Sequence, residues 1–385
     1  AALASRLDLV YVLCDRAFRY DQPTRNAESR RALAARVLAL ATAARAAAPD
    51  DDRARWAMAE ALVVRERAGP RTGPDAWVQA ADLLQQVHAK KPADALPLVY
   101  AVSFLLEGAC AEPDAAVQLT DRAEAVAKTA LDRQKDSPTV AVSVASAQLW
   151  ASRTLLATNK KLAREQVRAA IETLRRPAKR EPAVLEVATL WNEALSYARR
   201  SAFVFPERFV VVQRTTLDGA LAFDVPVSSR WHFQSVPASG DQVGYDYVTQ
   251  TTEDGKRLRQ VLFRRYIWGQ KYTFEGPNAV GGDNVKSIAQ GLQAMLAARV
   301  LSPGATLSAP ARKPFNRDMD GYAFEIRGRA ASESGAAGDA LRVNGYVMRG
   351  HNQVCYAVLV YDYGTDAEPS PEVEMLVESL REPDR

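Results

Sequence analysis

Acid–base chemistry near neutral pH draws first on histidine, and this chain of 385 residues holds three, His88, His232 and His351. Neither His232, beside Trp231, nor His351, in a predicted hairpin turn, falls in a recognisable catalytic motif, so chance surface positions are the better reading of both. His88 closes a predicted helix, where a cation complements the helix dipole, and no second histidine or cysteine accompanies it. The sequence contains no Gly-x-Ser-x-Gly elbow, His-Glu-x-x-His pair, P-loop or dinucleotide glycine fingerprint, which leaves a carboxylate pair as the remaining acid–base option. Cys14, Cys110 and Cys355 lie far apart and are odd in number, giving neither a disulfide framework nor metal-ligand spacing; they read as small core residues. Asp318-Met319-Asp320-Gly321 with Glu325 stops short of the twelve-residue calcium loop, which excludes calcium there.

Two further clusters could make contacts rather than do chemistry. Arg264-Arg265-Tyr266-Ile267-Trp268 interleaves cations and aromatics, a pattern that can stack on bases or anchor an interface. Tyr266 and Trp268 share one strand face, so core packing with Arg264 at the sheet edge is the favoured reading. Arg175-Arg176-Pro177-Ala178-Lys179-Arg180 is the densest basic run, and a solvated loop between helices is favoured over an anionic partner site. The candidates for partner binding are therefore Trp231, His232, Arg264, Arg265, Tyr266 and Trp268. No catalytic residue, cofactor or metal ligand is expected.

Composition bounds what these residues can belong to. At 48% hydrophobic and 25% charged, the chain is globular and too long for one ordinary core, so two domains are expected. Fifty basic against forty-six acidic side chains leave a formal charge of +4, a slight excess that does not imply nucleic acid. No stretch is apolar for the length of a membrane span, since Arg36 and Arg45 interrupt the alanine-rich run from Ala32 to Ala48. The chain begins Ala1-Ala2-Leu3, so a signal peptide, if one existed, is expected to be already absent. Abundant alanine and arginine with few lysines fit a bacterial gene of high GC content.

The elements that must position any site follow from Pro49, Pro92, Pro138 and Pro182, which divide the first half at nearly even intervals. An evenly spaced helix breaker predicts a repeat of stacked helix pairs. Thirteen residues after each proline stand Leu62, Leu105, Ala151 and Leu195, and nine after stand Met58, Ala101, Ala147 and Trp191, four apart on one helix face. Eight before stand Ala41, Leu84, Ala130 and Leu174, and twelve before stand Val37, Ala80, Val126 and Ala170. The spacing predicts helices over 2–19, 27–48, 51–67, 75–90, 94–109, 113–135, 138–157, 160–175 and 182–201, about four pairs, with Ser137 an N-cap ahead of Pro138. This half resembles a tetratricopeptide-like solenoid, which implies peptide or protein binding on a concave face.

Past residue 203 the pattern changes to short β-branched and aromatic runs. Residues 208–213 and 219–225 predict a hairpin, and strands are expected at 244–252, 258–268, 321–329, 341–349 and 354–363 in a mainly antiparallel sheet. Asp283 can cap a helix with Val285, Ile288, Leu292 and Met295 on one stripe, and Ser370-Pro371 caps another with Val373, Leu376, Val377 and Leu380. Residues 302–320 and 330–340 read as flexible loops. Phe223-Asp224-Val225-Pro226 with Trp231, and Val343-Asn344-Gly345-Tyr346 followed by 354–361, resemble a PsbP-like α+β domain. The resemblance implies that Phe223 and Val225 feed the core, that Pro226 ends a strand and that Trp231 anchors a loop.

The expected whole is an all-α helical-repeat domain over 1–203 followed by a PsbP-like α+β domain over 204–385. The resemblance implies a non-catalytic accessory subunit with other protein subunits as partners, peripheral to a membrane complex, in a bacterial periplasm or cell envelope; a cytoplasmic scaffold reads the same. A small-molecule-binding protein using a pocket in the second domain is the alternative, and an unrecognised hydrolase the third.

Overall fold

The structure, a computed structural model, describes residues 7–10, 27–69, 71–180, 184–216, 219–228, 230–236, 245–251, 257–266, 284–302, 304–315, 319–330, 339–350, 355–364 and 370–383. Contacts divide the chain into two compact units, Ala1–Ala194 and Leu195–Arg385. In the first, residues 7–10 are helical. There follow α1 (Ala27–Ala47), α2 (Asp52–Ala68), α3 (Asp75–Lys90), α4 (Leu96–Ala111), α5 (Ala116–Arg133), α6 (Pro138–Leu155), α7 (Lys160–Arg180) and α8 (Leu185–Arg200), the last reaching into the second unit.

Local chemistry starts these helices where the prolines indicated. Asp51 accepts a hydrogen bond from the Ala54 amide (3.0 Å) to cap α2, and Ser137 accepts from the Val140 amide (3.4 Å) with Pro138 in the first turn of α6. Ala41, Leu84, Ala130 and Leu174 are all fully buried, as are Val37, Ala80, Val126 and Ala170 on the same stripe and Leu62, Leu105, Ala151 and Leu195 on the first helices. The weaker register is the one nine residues after each proline, where Met58 and Ala147 are only half-buried. One expectation fails: residues 175–180 are not a loop but the last turns of α7, which continues through Pro177. Proline removes one backbone bond there. Arg176 and Arg180, four apart, both close on Asp136 and tie that turn to the loop before α6.

The second unit holds β1 (Val211–Thr215), β2 (Ala222–Pro226), β3 (Trp231–Val236), β4 (Tyr245–Thr251), β5 (Arg257–Tyr266), α9 (Asn284–Val300), β6 (Thr306–Leu307), β7 (Ala311–Pro314), β8 (Asp320–Arg329), β9 (Ala340–Arg349), β10 (Cys355–Tyr363) and α10 (Pro371–Glu378). β1 and β2 form a separate antiparallel ribbon. The eight-stranded sheet runs β3-β4-β5-β10-β9-β8-β6, with β7 also on β8, and every pairing is antiparallel.

Alternation along the central strands feeds two cores. Val358 and Val360 of β10 join Phe223, Trp231, Phe263, Leu376 and Leu380 on the α10 side. Ala357 and Leu359 join Val285, Ala289, Leu292, Phe324 and Leu341 on the α9 side. Phe223 stacks on Phe263 at 4.1 Å between ring centroids. Gly345 lies opposite Phe324 in the β8–β9 register, and a Cβ there would stand 2.1 Å from the Phe324 ring, so only glycine lets that ring cross the β9 backbone.

Three features depart from the sequence reading. Trp231 opens a strand instead of anchoring a loop. Residues 306–307 and 311–314, expected within a flexible loop, are short edge strands on β8, a place where polar and proline-containing sequence is tolerated. The buried stripe of α9 is Val285, Ala289, Leu292 and Leu296, which leaves Met295 exposed.

Candidate functional site

Of the six residues singled out from sequence, Trp231 and His232 stand well apart along the sheet from the end of β5 that carries Arg264, Arg265 and Tyr266. Trp231 is 8% exposed in the α10-side core, whereas His232, next on β3, projects to the opposite face and is exposed. Arg264, Arg265 and Tyr266 end β5, opposite Ala357, Tyr356 and Cys355 of β10. Trp231 pairs with Gln250, which pairs with Arg259, so the register sets Arg264 five residues along β5 from the Trp231 row, roughly 17 Å at strand rise. Trp268 and His351 lie outside the described residues. His88 is buried in the last turn of α3, with Nδ1 2.8 Å from the Asp94 carbonyl oxygen.

A row of polar side chains missed by the sequence reading crosses the sheet instead. Gln250, Arg259, Asp362 and Arg342 stand directly opposite one another on β4, β5, β10 and β9, and none is more than 8% exposed. Arg259 donates through Nε to Asp362 and through Nη1 to Gln250 Oε1 (3.1 Å), while Arg342 pairs with Glu325 of β8. Burial pushes the Asp362 carboxyl above its ordinary range, against the opposing pull of Arg259 and Arg342. Its Oδ2 finds no hydrogen-bond partner among the described residues. At 1% exposure this carboxyl is closed to solvent and offers no surface to a substrate. The signal was an aspartate in the otherwise apolar and aromatic run of β10.

In the first unit, side chains about forty residues apart brace successive helix pairs. Lys90 Nζ donates to the Asp50 carbonyl (2.6 Å), Gln134 Nε2 to the Ala93 carbonyl (2.7 Å) and Arg176 Nη2 to Asp136 Oδ1 (2.9 Å), each from the end of a second helix to the loop before a first helix. First helices are joined side by side as well. Arg67 of α2 pairs with Glu107 of α4, and Arg153 of α6 with Glu193 of α8 (2.6 Å).

Those ion pairs mark an outward face. On α4, Leu96, Tyr100, Ser103 and Glu107 recur at three and four residues, and Leu96 and Tyr100 are 52% and 39% exposed. On α6, Ser143, Ser146, Trp150 and Arg153 recur likewise, with Trp150 exposed at 47%. Trp56 of α2 lies edge-on to Tyr100 at 5.2 Å and donates its indole N–H to Glu60 (2.8 Å). Apolar rings framed by neutralised charge are suited to contact with a partner, not to proton transfer.

A cleft of about 230 Å³ opens beside this unit's third brace, between the 134–138 loop and the end of α7. Its charges cancel, because Arg176, Arg180 and Lys135 face Asp132, Asp136 and Glu172. Burial raises the Cys110 thiol to about 11 and the Cys355 thiol to about 12, so both are protonated at neutral pH. Among the described residues no group of three or more His, Cys, Asp or Glu side chains could hold a metal ion, and no helix is long and apolar enough to cross a membrane. Compared with known proteins, the chain matches no family model and no curated protein.

Proposed function

We propose that this protein is a non-catalytic accessory subunit whose first unit, a tetratricopeptide-like repeat, docks another protein on the face of its first helices, and whose second unit is a PsbP-like domain. The observation that carries the reading is the exposure of Leu96, Tyr100 and Trp150 on consecutive first helices, flanked by the Arg67–Glu107 and Arg153–Glu193 pairs. Exposed aromatics in such a setting are the usual energetic anchors of an interface, each worth about 2 kcal/mol or more when covered. The Arg67–Glu107 and Arg153–Glu193 charges each cancel, so the proposed partner surface is apolar and aromatic at its centre with a polar rim. A bacterial periplasmic or envelope assembly is the proposed setting, with the cytoplasm as the alternative.

Native mass spectrometry of the protein purified gently from its source tests this. The expected result is a heteromeric particle above the 42.1 kDa chain mass, with the Tyr100→Ala, Trp150→Ala double variant losing the partner while remaining folded with only a small drop in thermal midpoint. A particle containing only this chain, or a complex indifferent to the double variant, overturns the reading.

A further inference from the structure

We infer that β1 is the two-fold seam of a homodimer, in which the β1 strands of two copies of this chain pair antiparallel about Gln213. In the β1–β2 ribbon, the Val227 amide donates to the Val210 carbonyl (3.0 Å) and the Thr216 amide to the Leu221 carbonyl (2.9 Å). Both belong to the register in which Val212 faces Val225 and Arg214 faces Phe223. Antiparallel pairs alternate between bonded and non-bonded rows, so Val212 and Arg214 spend their backbone groups on β2. Val211, Gln213 and Thr215 then direct three N–H and three C=O groups away from β2. No described residue takes these groups up, and all five residues of β1 are exposed.

The occupant follows from the symmetry of that edge. A two-fold axis through Gln213 sets Val211 against Thr215 of the second copy, Gln213 against Gln213 and Thr215 against Val211, so each outward group meets its complement and six bonds close. Side chains agree: Val212 falls opposite Arg214, no like charges stand directly opposite, and the exposed valines at 211 and 212 are covered. The Arg214 guanidinium leans 6.0 Å from the Phe233 ring, inside its own copy. β1 is short and carries one charge, Arg214, but has no proline, lysine or bulge to blunt its edge. A five-residue strand makes a short seam, so the dimer is a concentration-dependent one. None of these residues belongs to the first helices, and the dimer requires no other protein.

Sedimentation velocity of the purified full chain, from low to high micromolar concentration, gives the test. The wild type and Gln213→Val are expected to shift from monomer to dimer, while Gln213→Pro stays monomeric. Proline removes an amide that points outward and leaves the β1–β2 bonds in place. A wild type that remains monomeric throughout, or a Gln213→Pro variant that dimerises as readily, overturns the proposal. Hydrogen exchange of the wild type needs no variant: protection of residues 211–215 rising with concentration supports the seam, and its absence under dimerising conditions refutes it.

Discussion

Glu66 shows at the residue scale how a carboxylate survives burial. At 1% exposure it accepts from the Thr72 amide (2.8 Å), the Thr72 hydroxyl (2.7 Å) and Arg65 (2.7 Å). Burial raises its pKa, but the Thr72 and Arg65 bonds together outweigh that and hold the carboxyl below its ordinary value. Glu66→Gln is expected to cost about 1.5–3 kcal/mol at neutral pH by urea denaturation, because bonds to the charge are lost. Since the folded pKa is the lower one, Glu66 stabilises fully above its unfolded value and loses that contribution as pH falls through the folded one. The gap between wild type and variant should therefore close below about pH 4, and a gap that persists in acid would exclude this account. Asp362 is the opposite case: its folded pKa is raised, so its ionisation opposes folding as pH rises through the unfolded value towards the folded one. Asp362→Asn strands the Arg259 charge and is expected to cost about 3–5 kcal/mol, whereas Arg259→Met with Asp362→Leu should cost much less than the sum of the single changes. Additive losses in that double-mutant cycle would show that the two side chains do not act as a pair.

Helices and strands differ in how far their own residues specify them. The helix pairs were legible because proline, an N-capping Ser137 and a recurring apolar stripe are local signals, and the stripe positions at Ala41, Leu84, Ala130 and Leu174 prove fully buried. The basic run at the end of α7 misled because a proline beside charges reads as a stop. What holds Arg176 and Arg180 in helix is Asp136, forty or more residues away. Edge strands are decided by a neighbour: residues 311–314 become β7 because β8 offers its edge, and nothing in Ala-Arg-Lys-Pro alternates. Gly345 is an element-scale constraint of the same kind. Gly345→Ala should destabilise by about 1–3 kcal/mol or more through collision with Phe324, and Phe324→Leu in the same chain should recover part of the loss; unchanged denaturation midpoints would contradict the close approach.

For the whole molecule, the proposed function depends on which apolar surface stays uncovered. Leu96, Tyr100 and Trp150 belong to helices that also carry fully buried residues, and composition alone does not separate the two sets. Replacing Tyr100 and Trp150 by alanine is expected to cost about 0.5–1.5 kcal/mol each, through ring contacts such as Tyr100 on Trp56, while abolishing partner capture, since neither ring fills the core. A large drop in the thermal midpoint would place them in the core instead. By itself the sequence determined the helical first half, the later change to antiparallel strands, the Ser137 and Ser370 caps and the main apolar stripes of the helix pairs, because these follow from short-range stereochemistry and the periods of helix and strand. Only the tertiary structure decided that Trp231 is buried while His232 turns outward, that Gln250, Arg259, Asp362 and Arg342 line up across four strands, and that no described strand pairs with the outer edge of β1. Each of those depends on strand register or on which neighbour covers a surface, and both are set by residues far apart in the chain.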